Sequence, residues 1–281
     1  MTNGIVRGLS NADYHAAEGL NNSTLSSFAK SPAHCYALHM APGRPQRTAT
    51  PSMMAGTLAH CSILEPLEFD GRYAVRPDGI DLRTKAGKEW AESIPAGINT
   101  ITAEQRDNAD AQRAAVFNVP ELADLLAAGE PELSAFWIDP ATSMLCKCRP
   151  DWVHPLGGGG RVILLDVKTT TDANPKAFAK TVLQYGYHRG AAWYSNGYER
   201  ATGHQVMAFV FAVVTNSYPF IASACVLDEQ FQALGADDCR ALLDDYAECK
   251  RSGYWPGYSG MNVVSAPAWA LPSQELEVSY V

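Results

Sequence analysis

No stretch of this chain approaches the roughly 20 consecutive apolar residues that a membrane-spanning helix requires. Its first residues, Met1-Thr2-Asn3-Gly4-Ile5-Val6-Arg7, lack the charged start and apolar run of a secretory signal. The expectation is therefore a soluble, unprocessed, cytoplasmic protein with no membrane role. Cysteine is scarce: seven residues in 281, an odd number scattered from Cys35 to Cys249, which speaks against a disulfide framework and for a reducing compartment. The close pair Cys146 and Cys148 has no second Cys or His pair at zinc-ribbon distance, so core packing is its expected role. Positive charge is also short, with 22 Lys and Arg against 30 Asp and Glu and a net charge of −8. That balance excludes a protein that coats nucleic acid by bulk electrostatics, and any contact with phosphate must rest on local charge. No internal repeat is present.

What the chain has is a 47% hydrophobic content, ample for one packed core. Three parts are expected within a single domain: a mainly helical portion over 1–130, a core over 131–255 and a tail over 256–281. Asn21-Asn22-Ser23-Thr24 offers helix caps, Ser31-Pro32 breaks that helix, and 41–51 reads as a mobile loop. A second helix is expected over 53–64, with small residues at its start that suggest a close backbone approach. Thr102-Ala103-Glu104-Gln105 is a capping box for a helix reaching about Phe117. From Glu132 the pattern turns to strands over 133–138, 144–153 and 162–170, followed by a long helix over 175–195. Strands over 206–214 and 220–226 and a closing helix over 228–251 complete the reading.

The apolar run Val162-Ile163-Leu164-Leu165-Asp166-Val167-Lys168 ends in two charges that strand alternation places on one face. Two charges at a strand's exit usually mean only that the chain has reached water. Asp151, after Cys148-Arg149-Pro150, supplies a second carboxylate if 145–153 is the neighbouring antiparallel strand and Gly157 to Gly160 make the turn. Carboxylates converging in this way suit a hard divalent cation. The ordered set Gly56-x-x-x-His60, Glu132, Asp151, Asp166-Val167-Lys168, Gln184 and Tyr194 moves the balance toward chemistry. A lone helical histidine such as His60 is more often a satisfied core or surface residue, and Tyr185 and Tyr194 have ordinary helix packing as an equal reading. The four glycines 157–160 lack the Lys-Ser/Thr of a phosphate loop and precede a strand, so they read as a hairpin turn.

This set resembles the RecE-type exonuclease VIII family, in the RecB-like branch of the PDDEXK nuclease superfamily. The resemblance runs through Gly8 to His15, Gly56-Thr57-Leu58-Ala59-His60, Leu64-Glu65-Pro66, Thr84 to Lys88, Ile101 to Glu104 and Cys146 to Asp151. It continues through Asp166 to Thr170, Tyr185-x-Tyr187-His188, Tyr194 to Tyr198 and Trp255-Pro256. It implies an α/β PDDEXK, or restriction-endonuclease-like, core: a central mixed β-sheet flanked by helices, with an N-terminal helical extension. The implied activity is a 5′-to-3′ exodeoxyribonuclease that degrades one strand of double-stranded DNA from an end, exposing a 3′ strand for recombination by annealing.

Mg²⁺, with Mn²⁺ as a substitute, is the implied cofactor, held by Asp151, Asp166, the carbonyl of Val167, His60 and Glu132. Lys168 is implied to act on the attacking water, and His60 to bind metal or phosphate. Arg44, Arg47, Arg83, Lys85 and Lys88 are candidate DNA-backbone contacts by their place in the loop-rich N-terminal half, although isolated charges are more often simply solvated, and Arg149, Thr169, Tyr187, His188, Arg189 and Tyr194 are the further expected DNA contacts. The implied partners are DNA ends, a single-strand annealing recombinase and further copies of the chain in a trimeric or tetrameric ring, within a bacterial host. A related endonuclease or single-strand nuclease on the same core is the alternative enzyme. A silent DNA-binding or assembly module is the alternative of another class. One departure bears on the last: the glutamine expected four residues before Tyr194 is Gly190, and Gln184 would point about a third of a turn away.

Overall fold

The computed structural model describes residues 3–45 and 48–266. Arg47 and the tail beyond 266 lie outside them. In chain order the elements are β1 (Gly4–Val6), α1 (Asn11–Ala16), α2 (Asn22–Phe28), α3 (Pro32–His39), α4 (Pro51–Leu64), α5 (Phe69–Arg72), β2 (Tyr73–Val75), α6 (Lys85–Ser93), β3 (Asn99–Ile101), α7 (Ala103–Phe117) and α8 (Pro120–Leu126). There follow β4 (Glu130–Pro131), β5 (Ser134–Ile138), β6 (Leu145–Cys148), β7 (Trp152–Pro155), β8 (Arg161–Thr170), α9 (Pro175–Tyr185), α10 (Tyr187–Thr202), β9 (Gln205–Thr215), β10 (Ala222–Val226) and α11 (Glu229–Ser252). Side-chain caps start the helices where the sequence offers them: Asn21 accepts from the Thr24 amide, Thr50 from Met53 and Asp228 from Phe231. The capping box of Thr102 and Gln105 forms in full.

Five strands make the central sheet in the order β10-β9-β8-β7-β4, with β8 and β9 parallel and the other pairings antiparallel. β8 is covered on both faces, which is why its sequence reads as an almost continuous apolar run. Val162 and Leu164 pack with Phe178 of α9 and Phe211 of β9, whereas Leu165 and Val167 pack with Ala59 and Ile63 of α4 and Val116 of α7. Helix α4 is itself enclosed, because Leu58 and Cys61 on its other side meet Phe69, Tyr73 and Ile101 of the excursion that carries β2 and β3. A second sheet, β1-β5-β6, sits against α10. There Gly197 abuts Trp137 so closely that a Cβ would lie 2.4 Å from the indole.

Several expectations are corrected. The stretch 144–153 is not one strand: β6 pairs with β5 in the second sheet, Arg149-Pro150-Asp151 turns the chain, and β7 alone pairs with β8. Proline at the crossover supplies no amide for a ladder, so the sheet switch falls where a ladder bond is unavailable. The helix over 175–195 is two helices, divided at Gly186 with φ +69° and extended to Thr202. Glu132 is not on a strand but between β4 and β5, at φ +54°, and Asp151 precedes β7. The short strands β1, β2 and β3 interrupt a portion expected to be helical. The glycine turn does join β7 to β8, with Gly158, Gly159 and Gly160 all at positive φ.

Candidate metal and nuclease site

Alternation along β8 puts Asp166 and Lys168 on the face turned toward α9 and α10, and there the two side chains meet as an ion pair. Asp166 is buried, and its Oδ2 accepts no well-directed hydrogen bond despite that contact. Burial pushes its carboxyl above the ordinary range, the Lys168 charge opposes this, and the nearby Asp151 adds to the rise. Burial would lower the Lys168 ammonium, but Asp166 and Asp151 together outweigh it and hold the proton more firmly than usual. The ammonium also stands 5.1 Å from the Tyr187 ring centroid, within cation–π range. Lys168 therefore stays cationic and is suited to donate hydrogen bonds.

Asp151 reaches the same strand from the sheet crossover, its Oδ2 accepting from the Val167 amide at 2.8 Å. On the other side of β8, His60 of α4 donates from Nε2 to the Val167 carbonyl oxygen at 2.8 Å, and its Nδ1 lies 3.3 Å from Asp151 Oδ2. Two carboxylates, an imidazole and a main-chain carbonyl thus converge around Val167. Glu132 adjoins this group, its amide donating to the Asp151 carbonyl at 3.1 Å, and its Oε2 lies 3.5 Å from Arg149 Nη1. Burial chiefly, then Asp151, pushes the Glu132 carboxyl up, with Arg149 pulling the other way.

A divalent cation fits this donor set. Among the described residues no three His, Cys, Asp or Glu side chains close into a preformed cage. Mg²⁺ does not need one, since it keeps several waters and is held by one or two carboxylates. The buried Oδ2 of Asp166, without a well-directed donor, and the carboxyls of Asp166 and Glu132, raised chiefly by burial, leave acceptor capacity that a cation would use.

The other expected contacts divide. Thr169 flanks the group, and a Cβ at Gly56 would lie 3.7 Å from its Oγ1, an ordinary contact, so space does not demand glycine there. Tyr194 lies close enough to Asp166 and Asp151 that their charges, after burial, raise its phenol. Arg149 is turned inward and committed: Nε donates to Ser134 Oγ at 2.9 Å, Nη2 to the Leu9 carbonyl at 2.9 Å, and the guanidinium lies over Tyr14. It offers no free face to DNA, and neither does His188, buried between the Val182 carbonyl and Asp238. Arg189 also pairs with Asp238. Arg83, Lys85 and Lys88 stand on the exposed excursion around α6, where Arg83 chelates Asp81 and Lys85 pairs with Glu89. Gln184 is exposed on α9. At Gly190 the amide of Asn22 takes the space, with Nδ2 3.2 Å from where a Cβ would sit.

Two participants went unread in the sequence. Glu65 ends α4 and is held by both Arg72 nitrogens at 2.7 Å, and its charge raises Glu132 further. Its signal was the Leu64-Glu65-Pro66 stop after His60. Tyr14 packs against both Arg149 and Lys147, for which no spacing rule exists.

A mixed sheet flanked by helices, with Asp166 and Lys168 on its central strand and Asp151 beside it at the crossover, is the architecture of a PDDEXK-like domain. The chain belongs to the family described as PDDEXK-like domain of unknown function (DUF3799), whose model matches residues 21–264. It is similar in fold to a crystal structure from Eubacterium rectale described as a putative exonuclease, with 13% identity and a TM-score of 0.63 over 93% of this chain and 95% of that one. A second structure, SSO0001, is 14% identical with a TM-score of 0.28 over 68% of this chain and 86% of that one, and carries no argument. No curated protein matches the chain. Among the described residues, no helix is long and apolar enough to cross a membrane.

Proposed function

We propose that the protein is a Mg²⁺-dependent exodeoxyribonuclease that degrades one strand of duplex DNA from a 5′ end and leaves a 3′ single strand for annealing. The observation that carries the reading is the meeting of Asp151, Asp166, His60 and the Val167 carbonyl beside Lys168. Asp151, Asp166, the Val167 carbonyl and His60 would hold the cation, with Glu132 at its margin. Bound there, it neutralises charge on the scissile phosphate and acidifies a water. Lys168 donates from its ammonium to the attacking oxygen and to the phosphoryl oxygens as charge grows on them. Tyr187 and Asp166 hold that ammonium in place, which saves reorganisation at the moment of reaction. Asp151 fixes the Val167 peptide through its amide, so the carbonyl is aimed before any substrate arrives.

The resemblance to the RecE-type family supports end-directed, 5′-to-3′ action, a ring of three or four copies and an annealing partner. In such a ring, topological linkage would retain DNA on an acidic protein. Gly190 favours one competing reading, a silent module, and the intact Asp151, Asp166 and Lys168 stand against it. Linear duplex labelled at either end, beside covalently closed circular duplex, tests the proposal in Mg²⁺. The account expects nucleotides released from linear DNA starting at the 5′ end. Cleavage of the closed circle would replace it with an endonuclease.

A further inference from the structure

A groove of about 940 Å³ lies between α2, α3, the end of α11 and β6 and contains none of the catalytic side chains. Its rim carries Lys30, Arg44 and Lys250, all exposed and, among the described residues, without an ion-pair partner. Exposed cations elsewhere are of both kinds: Lys88, Arg161, Lys176 and Arg200 likewise have no ion-pair partner among the described residues, but no three of them line one concavity with so little opposing charge. Arg7, Arg72, Arg106, Arg240 and Arg251 each face a carboxylate within 3.0 Å, as a net charge of −8 would lead one to expect. Three unneutralised cations around one concavity, with Glu18 the single carboxylate lining it, make a local positive field on an acidic molecule. Hydroxyls of Ser23, Thr24 and Ser27 line the same groove and can hydrogen-bond phosphate oxygens.

The groove also adjoins the reaction centre. Lys147 lies beneath it, with its donors spent on the carbonyls of Tyr14 and Ala17, and the Tyr14 ring contacts both Lys147 and Arg149, the latter paired with Glu132. Lys147, Tyr14 and Arg149 in succession therefore connect the groove to Glu132. We infer that this groove is a second nucleic-acid site, which holds the phosphate backbone of single-stranded DNA through Lys30, Arg44 and Lys250. The inference rests on the nuclease reading for its choice of polyanion. A single strand is the occupant argued for because its flexible backbone can follow a concave surface and bring successive phosphates to cations spaced around it. Binding of this kind is electrostatic and independent of sequence.

The test measures anisotropy of a short fluorescein-labelled oligothymidylate with the full chain in EDTA, across a salt series. Lys30→Gln/Arg44→Gln/Lys250→Gln is expected to weaken binding at least tenfold. It should also flatten the log–log salt slope by about 2, the loss of three single-strand phosphate contacts at roughly 0.7 each. Lys30→Arg/Arg44→Lys/Lys250→Arg, which keeps the charges, should retain the wild-type slope. Matching thermal melts exclude misfolding of the variants. An unchanged affinity and slope in the Gln variant overturns the inference, as does equal displacement of the oligonucleotide by polyglutamate, which would mark a groove for acidic peptides. Stronger dependence on the three residues for duplex than for single strand overturns it too. Release of nucleotides from linear duplex by the wild type in Mg²⁺ is scored separately, so failure of the nuclease reading and failure of the groove are distinguishable.

Discussion

Two lysines on strands of different sheets, the buried Lys147 of β6 and the partly buried Lys168 of β8, live in opposite surroundings. Lys147 sees no carboxylate. It donates to the backbone oxygens of Tyr14 at 2.7 Å and Ala17 at 2.5 Å, and burial, then Arg149, pulls its ammonium below the ordinary range. Lys168 faces Asp166 and Asp151, and its proton is held above that range. The difference lies in what each spends its donors on. Lys147 ties the N-terminal arm to the second sheet, whereas Lys168 keeps a charge poised near the C-terminal end of the central sheet's middle strand.

The contrast can be broken or sharpened by substitution. Asp166→Asn should have the largest effect: a loss of nucleotide release on the order of 10³-fold, together with loss of the rise in melting temperature that Mg²⁺ gives the wild type. A Mg²⁺-induced rise that persists in the variant would place the cation elsewhere. Lys147→Met should act on the fold instead, destabilising it by about 2–3 kcal/mol as two enclosed carbonyls lose their donor, as read in a urea melt, with a rate per folded molecule close to wild type. A full-stability variant with no activity would erase the distinction between the lysines. Tyr187→Leu removes the ring beside Lys168 and should slow release by roughly 3- to 10-fold, about 1 kcal/mol of lost cation–π contact. Arg83→Ala should do least, because Arg83 is exposed and already paired with Asp81, and digestion of long duplex should remain processive. Collapse to short, distributive products would bring α6 into the DNA path.

The same contrast explains what the sequence could and could not reveal. Asp166 and Lys168 were legible because strand periodicity is strict and the run around them is apolar on both sides. Asp151 was legible as a residue but not in its setting: Pro150 marks where a ladder must be interrupted, but not that the chain leaves one sheet for the other there. Arg149 and His188 were read as DNA contacts on residue type, yet Ser134, the Leu9 carbonyl and Asp238, all distant in sequence, turn them inward. Capping residues located α2 and α7 because a cap is a local bond. Gly186, which splits α9 from α10, escaped because the apolar spacing continues across it.

The most direct measurement compares wild type with Lys168→Ala on linear duplex in Mg²⁺, following nucleotide release alongside the melting temperature of each. The account predicts steady release by the wild type and a loss of about 10²- to 10³-fold in the variant, with both proteins folded. Equal and negligible release from the two would contradict it and leave a DNA-binding module in place of an enzyme.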